Sequence, residues 1–154
     1  MQYYILTSIT VKMTLRLLEQ NDYNLGYLEL LEQLTDVGKI TIEEWNNRYN
    51  EITLNPCIQI WVMVENNTIV SSGTLILEPK FIHNNGRVAH IEDVIVHRDK
   101  QGLGFGKKIL DALVYVSKNN GCYKVILNCS NKNIGFYEKL GFIQKEIQMA
   151  HYFK

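Results

Sequence analysis

The sequence predicts a single α+β domain built around a mixed, mainly antiparallel sheet. Its 154 residues suffice for one domain. Three apolar, β-branched segments follow one another between residues 58 and 96, with no helical pattern between them. The first two are joined by Asn66-Asn67, a two-residue turn typical of a β-hairpin. Strands joined in this way run antiparallel, and the helical patterns lie before and after them.

The N-terminal third predicts one strand and two helices. Asn21 or Asp22 can cap the first helix, in which tyrosine and leucine residues recur at helical spacing. Thr41 and Glu44 form a capping-box pattern at the start of the second helix. The predicted spans are residues 13–18, 23–34 and 41–49. Residues 1–10 are expected to be a loosely ordered extension of the single domain, which spans residues 1–154.

The remaining two thirds predict five strands and two helices. The longer helix presents its apolar residues on one face, and Asn133 can cap the short helix that follows. Gly121 and Gly141 lie where left-handed residues would end these two helices. The predicted strands are residues 58–65, 68–77, 88–96, 123–129 and 142–149, which gives the element order β-α-α-β-β-β-α-β-α-β.

Composition disfavours several classes of protein. The formal net charge is zero, whereas a nucleic-acid-binding domain usually carries a basic excess. No apolar run approaches the roughly 18 residues of a membrane-spanning helix, and the N-terminus lacks the pattern of a secretory signal peptide. Cys57, Cys122 and Cys129 lack metal-binding spacing, which predicts reduced thiols in a cytoplasmic protein that needs no metal.

The turn Gln101-Gly102-Leu103-Gly104-Phe105-Gly106 has the composition of a phosphate-binding site. Alternating glycines allow a close approach to the backbone, and the helix that follows directs unpaired N–H groups to the same place. A dinucleotide-binding turn is a competing interpretation, but that turn belongs to a parallel βαβ unit with an acid about 20 residues further on. A glycine-rich connector without a ligand is the other alternative.

Two adjacent carboxylates, Glu92 and Asp93, precede this turn on a predicted strand. Neighbouring strand residues point to opposite faces, so the two are not expected to share a proton unless a bulge reorients them. Either can accept a proton from an amine, directly or through a water. The alternative is a pair of solvated acids at a strand edge.

Other reactive side chains lie further along the chain. Tyr137, on the short helix, can donate a proton to a leaving thiolate, although a packed aromatic is the competing interpretation. Cys129 is expected to be inert, because no histidine adjoins it in the sequence. Four cations flank the same strands and can hold an anionic substrate: Lys80, His83, Arg87 and Lys124.

These segments resemble the acetyl-CoA signature of the GCN5-related N-acetyltransferase (GNAT) superfamily. The strings that carry the resemblance are V-I-V-H-R-D-K-Q-G-L-G-F-G-K-K-I-L and N-x-x-x-x-F-Y-E-K-L-G-F. Within the superfamily, shorter strings are similar to those of the glucosamine-6-phosphate N-acetyltransferases. They are L-T-D-V-G (34–38), E-P-K-F-I-H (78–83), H-I-E-D-V (90–94), G-C-Y-K-V-I-L (121–127) and N-x-G-F-Y-E-K-L-G-F (133–142).

The resemblance implies helices on both faces of the sheet and two splayed central strands that receive the pantetheine arm of acetyl-CoA. The implied reaction is direct attack of the 2-amine of glucosamine 6-phosphate on the thioester. It supplies N-acetylglucosamine 6-phosphate for UDP-N-acetylglucosamine synthesis, in a homodimer with shared active sites. Tyr137 would protonate the coenzyme A thiolate, and Glu92 is favoured over Asp93 as a weak or water-mediated base.

The resemblance also implies two sets of binding residues. The cofactor-binding set is Val94, Ile95, Val96, Gln101, Gly102, Leu103, Gly104, Phe105, Gly106, Asn133 and Phe136. The substrate-binding set is Thr35, Lys80, Phe81, Ile82, His83, Glu92, Asp93, Tyr123 and Lys124.

Two positions depart from the family pattern. Asn128 stands where many members carry an acid, so a role that needs a charge there is lost or moved. Near the C-terminus, His151 and Tyr152 stand where an arginine usually reaches the sugar phosphate, and His151, Lys154 or Arg87 can replace it. The functions left open are acetylation of another small amine or a peptide amine, and non-catalytic binding of acetyl-CoA.

Overall fold

The computed structural model describes residues 12–153, and within them one sheet of five strands. The strands are β1 (Met13–Leu17), β2 (Ile58–Glu65), β3 (Thr68–Pro79), β4 (Arg87–Val96) and β5 (Cys122–Leu127). They lie side by side in chain order, antiparallel from β1 to β4, whereas β4 and β5 are parallel. The predicted mixed, mainly antiparallel sheet is therefore confirmed. The extension predicted for residues 1–10 lies outside the described residues.

The helices lie between the strands at the predicted places, except for one additional short helix in the connection between β3 and β4, where no helical pattern was predicted. They are α1 (Tyr27–Leu31), α2 (Ile42–Leu54), α3 (Ile82–Asn85), α4 (Phe105–Asn119) and α5 (Ile134–Glu138). Thr41 and Glu44 form the predicted capping box before α2. Asn133 precedes α5 but makes no side-chain cap bond, so its side chain is not used to start that helix.

The first predicted helix is divided in two. A 3-10 turn, Gln20–Leu25, ends at Gly26, whose φ of 81° interrupts the helical path before α1 begins. The sequence suggests Asp22 as the N-cap of a helix, but the N-cap of this turn is Glu19, and Asp22 lies three residues further on. Its buried carboxylate accepts the backbone N–H of Glu19 and two bonds from Arg16, at 2.7 and 2.8 Å. Asp22 therefore ties β1 to the turn that leads into α1.

Both faces of the sheet are packed against helices, as the resemblance implies. On one face, α4 buries Ile109, Leu110 and Leu113 against a cluster that includes Leu75 and Ile91. On the other face, α1 and α2 contribute to a second cluster of buried residues, namely Leu18, Tyr27, Leu30, Trp45, Ile60, Val62, Val64, Ile69 and Ile95. The sheet lies between these two clusters. Its later strands are the more open part of the molecule.

The strand predicted for residues 142–149 is absent from the structure, and this prediction is wrong. Residues 142–153 form no ladder, and the apolar side chains after Phe142 are exposed, including Ile147 and Met149 at 88% each. Apart from Lys145, residues 143–149 alternate between apolar and polar side chains as a strand does, but an extended segment becomes a strand only when another backbone supplies hydrogen bonds. In the described residues, the outer edge of β5 is also without a partner strand.

β4 and β5 separate part of the way along the sheet. Their ladder runs from the Arg87–Cys122 pair to the Ile91–Leu127 pair. β4 then continues to Val96, whereas β5 ends at Leu127. The predicted splayed strands are thus confirmed, and the gap begins beside Glu92.

Candidate active site

A β-bulge lies where the two strands separate. The partner of Ser72 on β4 is Ile95, but the partner of Thr74 is Glu92. Gly73 alone therefore lies opposite the two residues between them. A Cβ atom at Gly73 would come within 2.8 Å of the Cδ1 atom of Leu113, so α4 packs directly against this backbone.

The bulge places both carboxylates on one face of the sheet, which corrects the expectation that they point to opposite faces. Ile91 and Val94 both pack into the cluster under α4, although they are three residues apart. Glu92 and Asp93 between them are thereby directed to the other face, with Asp93 at a φ of 50°. Burial raises the pKa of Tyr27 on that face to about 12, and the charge of Asp93 adds to this shift.

The free edge of β4 beyond the bulge has room for an added extended chain. Strands pair by backbone hydrogen bonds, and an extended ligand can use the same groups. The Val96 carbonyl already accepts a 3.3 Å bond from the side-chain amide of Gln101, so this carbonyl would be shared or released when an arm binds. The side chain of Ile95 is buried in the α1/α2 cluster, which leaves only its backbone available.

The glycine-rich turn opens towards solvent at the N-terminus of α4. Gly102 and Gly104 have φ values of 77° and 83°, and a Cβ atom at either would meet nothing within 4 Å. The first intrahelical bond in α4 is from the Lys108 N–H to the Gly104 carbonyl. The N–H groups before it are unpaired within the helix, and the dipole of this 15-residue helix adds positive potential. The turn therefore fits a pyrophosphate. Backbone N–H groups would hold it, because the side chain of Phe105 is buried and does not reach the ligand.

Phe136 packs onto this turn from α5. A Cβ atom at Gly106 would lie 3.1 Å from Cζ of Phe136 and 3.6 Å from Cγ2 of Val96. Glycine at position 106 thus allows the ring to lie against the start of α4. The structure therefore brings together three parts of the predicted cofactor set: the end of β4, the turn and α5.

Tyr137 occupies a half-buried position beside these parts. Its ring makes edge contacts with Phe136 and Phe142, at centroid distances of 5.1 and 5.8 Å. Burial raises the pKa of Tyr137, and the neighbouring Cys129 thiol raises it further. A phenol with a raised pKa stays protonated at neutral pH, as a proton donor requires.

The predicted acceptor residues at the β3–β4 connection are partly assembled. The His83 ring packs against Tyr123, with ring centroids 4.2 Å apart, so α3 lies against the start of β5. His83 itself has a φ of 53°, a left-handed conformation that turns the chain back towards the sheet. Phe81 and Ile82 do not join this group, because their side chains are 97% and 61% exposed.

Two side chains that the sequence predictions did not include, Glu78 and His90, join the predicted Lys80 in a linked trio. Glu78 binds Lys80 through one carboxylate oxygen and Nε2 of His90 through the other, the second at 2.8 Å. The hydrogen bond from Lys80 is the main cause of the lowered pKa of Glu78, followed by that from His90. Lys80 is therefore paired rather than free. One sequence signal could have indicated His90. Because side chains alternate between faces along β4, His90 lies on the same face as the predicted Glu92.

Comparison with known proteins identifies the family. A sequence model described as "Acetyltransferase (GNAT) family" matches residues 19–142. The chain belongs to the GNAT acetyltransferase family.

The relatives of this GNAT acetyltransferase match it over most of its length. A glucosamine 6-phosphate N-acetyltransferase of Arabidopsis thaliana is 42% identical over 142 residues, which are 90% of this chain and 95% of the relative. One from Candida albicans is 40% identical over 89% of this chain and 93% of the relative. The crystal structure of glucosamine-6-phosphate N-acetyltransferase from Arabidopsis thaliana superposes with a TM-score of 0.89, covering 93% of this chain and 99% of the other.

GNAT acetyltransferases take their acetyl group from acetyl-CoA. The open glycine turn and the free edge of β4 described above fit its pyrophosphate and pantetheine arm. Residues 12–153 contain no cluster of three or more His, Cys, Asp or Glu side chains arranged to bind a metal ion. In the same residues, no helix is long and apolar enough to cross a membrane.

The predicted acceptor residue Thr35 lies apart from the others, exposed in the turn after α1. Gln33, two residues before Thr35, was missed by the sequence predictions, although it connects the turn after α1 to the connection between β4 and α4. The side-chain oxygen of Gln33 accepts a 2.9 Å bond from the backbone N–H of Arg98, at the start of the β4–α4 connection. This bond holds the turn after α1, which contains Thr35, near the glycine-rich turn.

Proposed function

We propose that this enzyme transfers the acetyl group of acetyl-CoA to the 2-amine of glucosamine 6-phosphate. The observation that carries the proposal is identity of about 40% with relatives of that named activity, over about 90% of the chain. The bulge supports it, because two carboxylates lie together where an ammonium group could be held. The product would be N-acetylglucosamine 6-phosphate, the precursor for UDP-N-acetylglucosamine, made in the cytoplasm.

The reaction that suits this geometry is direct attack of the amine on the thioester. Glu92 and Asp93 hold the ammonium group, and Glu92 accepts its proton directly or through a water. Tyr137 then protonates the leaving thiolate, consistent with the raised pKa of its phenol. Positioning two bound reactants in this way contributes roughly 7–11 kcal/mol to the acceleration. No acyl-enzyme is required, so Cys129 has no covalent role.

The acceptor is tested by thiol release. The protein is mixed with acetyl-CoA and one of three acceptors: glucosamine 6-phosphate, unphosphorylated glucosamine or a lysine peptide. Release with the phosphorylated sugar alone is the expected result, because cations around the β3–β4 connection suit an anionic acceptor. Equal release with the peptide would redirect the proposal to a peptide amine. Acetyl-CoA binding without release on any acceptor would leave a non-catalytic binding module.

We further propose a homodimer whose active sites draw on both chains. The support lies in the C-terminal tail, residues 142–153, where Ile143, Ile147 and Met149 face solvent and, with Lys145 as the one exception, alternate with polar side chains. Such alternation is typical of a strand buried on one face. The free edge of β5 and the exposed Phe81 offer complementary surface on a second copy.

Substitutions within the tail test whether it is a strand buried in the proposed dimer or an unpaired, solvent-exposed segment. Ile147→Lys is expected to shift the particle mass from dimer to monomer and to reduce thiol release at least about tenfold, because it places a charge on the apolar side of the strand. Gln148→Lys, which adds the same charge to the polar side, serves as the control. The measurements are sedimentation and the acetyl transfer assay. A monomeric unmodified protein with full activity would contradict the dimer.

Three cations are candidates for binding the sugar phosphate. Arg87 is exposed at the start of β4, and His151 is exposed in the tail, where its ring stacks on Phe153. Lys154 lies outside the described residues. In the proposed dimer the tail would bring His151 to the partner's acceptor site, so we favour His151.

A further inference from the structure

One face of the sheet carries a histidine that the proposed mechanism does not use. Leu75, Leu77, Ala89, Ile91, Val125 and Leu127 pack in the cluster beneath α4. Because strand residues alternate between faces, their neighbours in β3, β4 and β5 lie on the opposite face. We name this surface the open face; its members are Thr74, Ile76, Glu78, His90, Glu92, Lys124 and Ile126.

His90 lies at the centre of the open face. Its partner across β3 is Ile76, and its partner across β5 is Ile126. The imidazole is 31% exposed, so it is reachable from solvent but supported on both sides. Glu92 is two residues further along the same strand, which places its Cα atom about 6.6 Å from that of His90. A group held at Glu92 is therefore within one water molecule of the imidazole.

The partner of His90 determines which ring nitrogen is free. Nε2 lies 2.8 Å from Glu78, and a carboxylate accepts hydrogen bonds, so Nε2 carries the hydrogen. Nδ1 is then an unprotonated acceptor. Lys80 and His90 both lower the pKa of Glu78, which keeps the carboxylate ionised and the imidazole oriented. A carboxylate that fixes the tautomer of an imidazole and stabilises its charged form is a recurrent arrangement around bases.

We propose that His90 is the group that finally receives the proton lost by the acceptor amine. This inference rests on the proposed function and completes its proton balance. The ammonium group gives one proton, through Glu92 or a water, to Nδ1 of His90. The charged groups that face His90 are Glu78 and Lys80 from the β3 side, Glu92 on its own strand and Lys124 on β5.

Acetyl transfer follows, and then Tyr137 and His90 return to their starting protonation states. The nitrogen lone pair attacks the thioester carbon, a C–N bond forms and the C–S bond then breaks. The thiolate takes the proton of Tyr137, and the second nitrogen proton returns to Tyr137 through solvent. His90 releases its proton to water. The net reaction converts an ammonium ion and a thioester into an amide, a thiol and one proton.

The test compares His90, within β4, with a second histidine that directly follows this strand. His90→Gln is expected to lower kcat for thiol release about 100-fold, at the low end of what a positioned acid or base contributes, with the KM for acetyl-CoA unchanged. The matched control is His97→Gln. His97 is 32% exposed and has its own carboxylate neighbour, Asp99 at 3.8 Å, but it lies beyond the end of β4, where it caps the following 3-10 turn. The control is expected to keep wild-type turnover.

Two further measurements separate a proton acceptor from a structural residue. Imidazole in the buffer should restore turnover of His90→Ala by at least about tenfold, since it supplies the missing base. Glu78→Gln should give a smaller loss of kcat, because the tautomer is retained without the charge.

Three outcomes would overturn the inference. Turnover of His90→Gln within twofold of wild type is the first, and loss without rescue by imidazole is the second. The third is a parallel loss in His97→Gln, which would indicate damage to β4 as a whole. Absence of thiol release by the unmodified protein would instead overturn the proposed function, and this inference with it.

Discussion

Replacing Tyr137 by phenylalanine is expected to lower kcat by roughly 100- to 1000-fold, within the range that a single positioned proton donor contributes. The thiolate would then have to leave unprotonated or take a proton from water. The ring contacts with Phe136 and Phe142 would remain, since the substitution removes only the hydroxyl. The Kd for acetyl-CoA is therefore expected to change by less than about twofold, as for an interaction made only in the transition state. Single-turnover kinetics and equilibrium binding measure the two quantities.

The pH dependence of this effect follows from the direction of the Tyr137 pKa shift. Burial raises that pKa, so the donor is fully protonated at neutral pH and is lost only as pH rises through the raised value. Wild-type turnover should thus show no alkaline fall due to Tyr137 between about pH 7 and pH 9, below the ordinary phenol range. Tyr115→Phe, at an exposed tyrosine of α4, is the control. Equal turnover in Tyr137→Phe and Tyr115→Phe would exclude the donor role.

Gly104→Ala is expected to raise the Kd for acetyl-CoA at least about tenfold, or about 1.4 kcal/mol. The added methyl group would project into the open space at the turn where the pyrophosphate is expected. It would also strain a residue whose φ is 83°, at a cost of roughly 1–2 kcal/mol. Isothermal titration with acetyl-CoA measures the change in affinity, and thermal unfolding measures the strain.

Gly121→Ala separates these two effects. Gly121 has a φ of 74° with nothing within 4 Å of an added Cβ atom, but it lies beyond the opposite end of α4. Both variants should lose similar stability, whereas only Gly104→Ala should lose affinity for acetyl-CoA. Equal affinities in the two variants would mean that the turn does not hold the phosphates.

Local chemistry explains which parts of the fold were predictable. Asn66 and Asn67 tolerate the left-handed φ values of 50° and 61° that a two-residue hairpin needs, so the turn could be predicted from these residues alone. The Thr41 capping box depends on side chains three residues apart, and it too is a local signal. The separation at Gly26 was missed because the apolar spacing continues across it.

The tail and the bulge depended on distant parts of the molecule. Residues 143–149 alternate largely as a strand does, with Lys145 as the exception, but no backbone among residues 12–153 pairs with them. The bulge arises because β3 offers a single residue, Gly73, opposite two of β4, and this register cannot be read from β4 alone. Sequence reasoning therefore placed Glu92 and Asp93 on opposite faces when the structure places them together.

The parts of the candidate site formed by residues close together in the chain could be predicted, and the parts formed by distant residues could not. The glycine turn and Tyr137 lie in contiguous motifs, and both could be predicted as parts of the site. Glu78 and His90 are twelve residues apart and meet only because β3 and β4 pair with Ile76 opposite His90. Gln33 and Arg98 meet across an even longer separation in the chain.

The bulge opposite Gly73 also divides β4 into two parts that can be altered separately. In the proposed function, residues before the bulge would present their alternate side chains to the acceptor, and residues after it would align the acetyl donor. The packing of Leu113 against Gly73 anchors the junction in the core. A library of variants confined to the open face should therefore sample new acceptors while the donor site stays intact. The reverse approach, changing residues 94–96, would alter the donor and leave acceptor choice untouched.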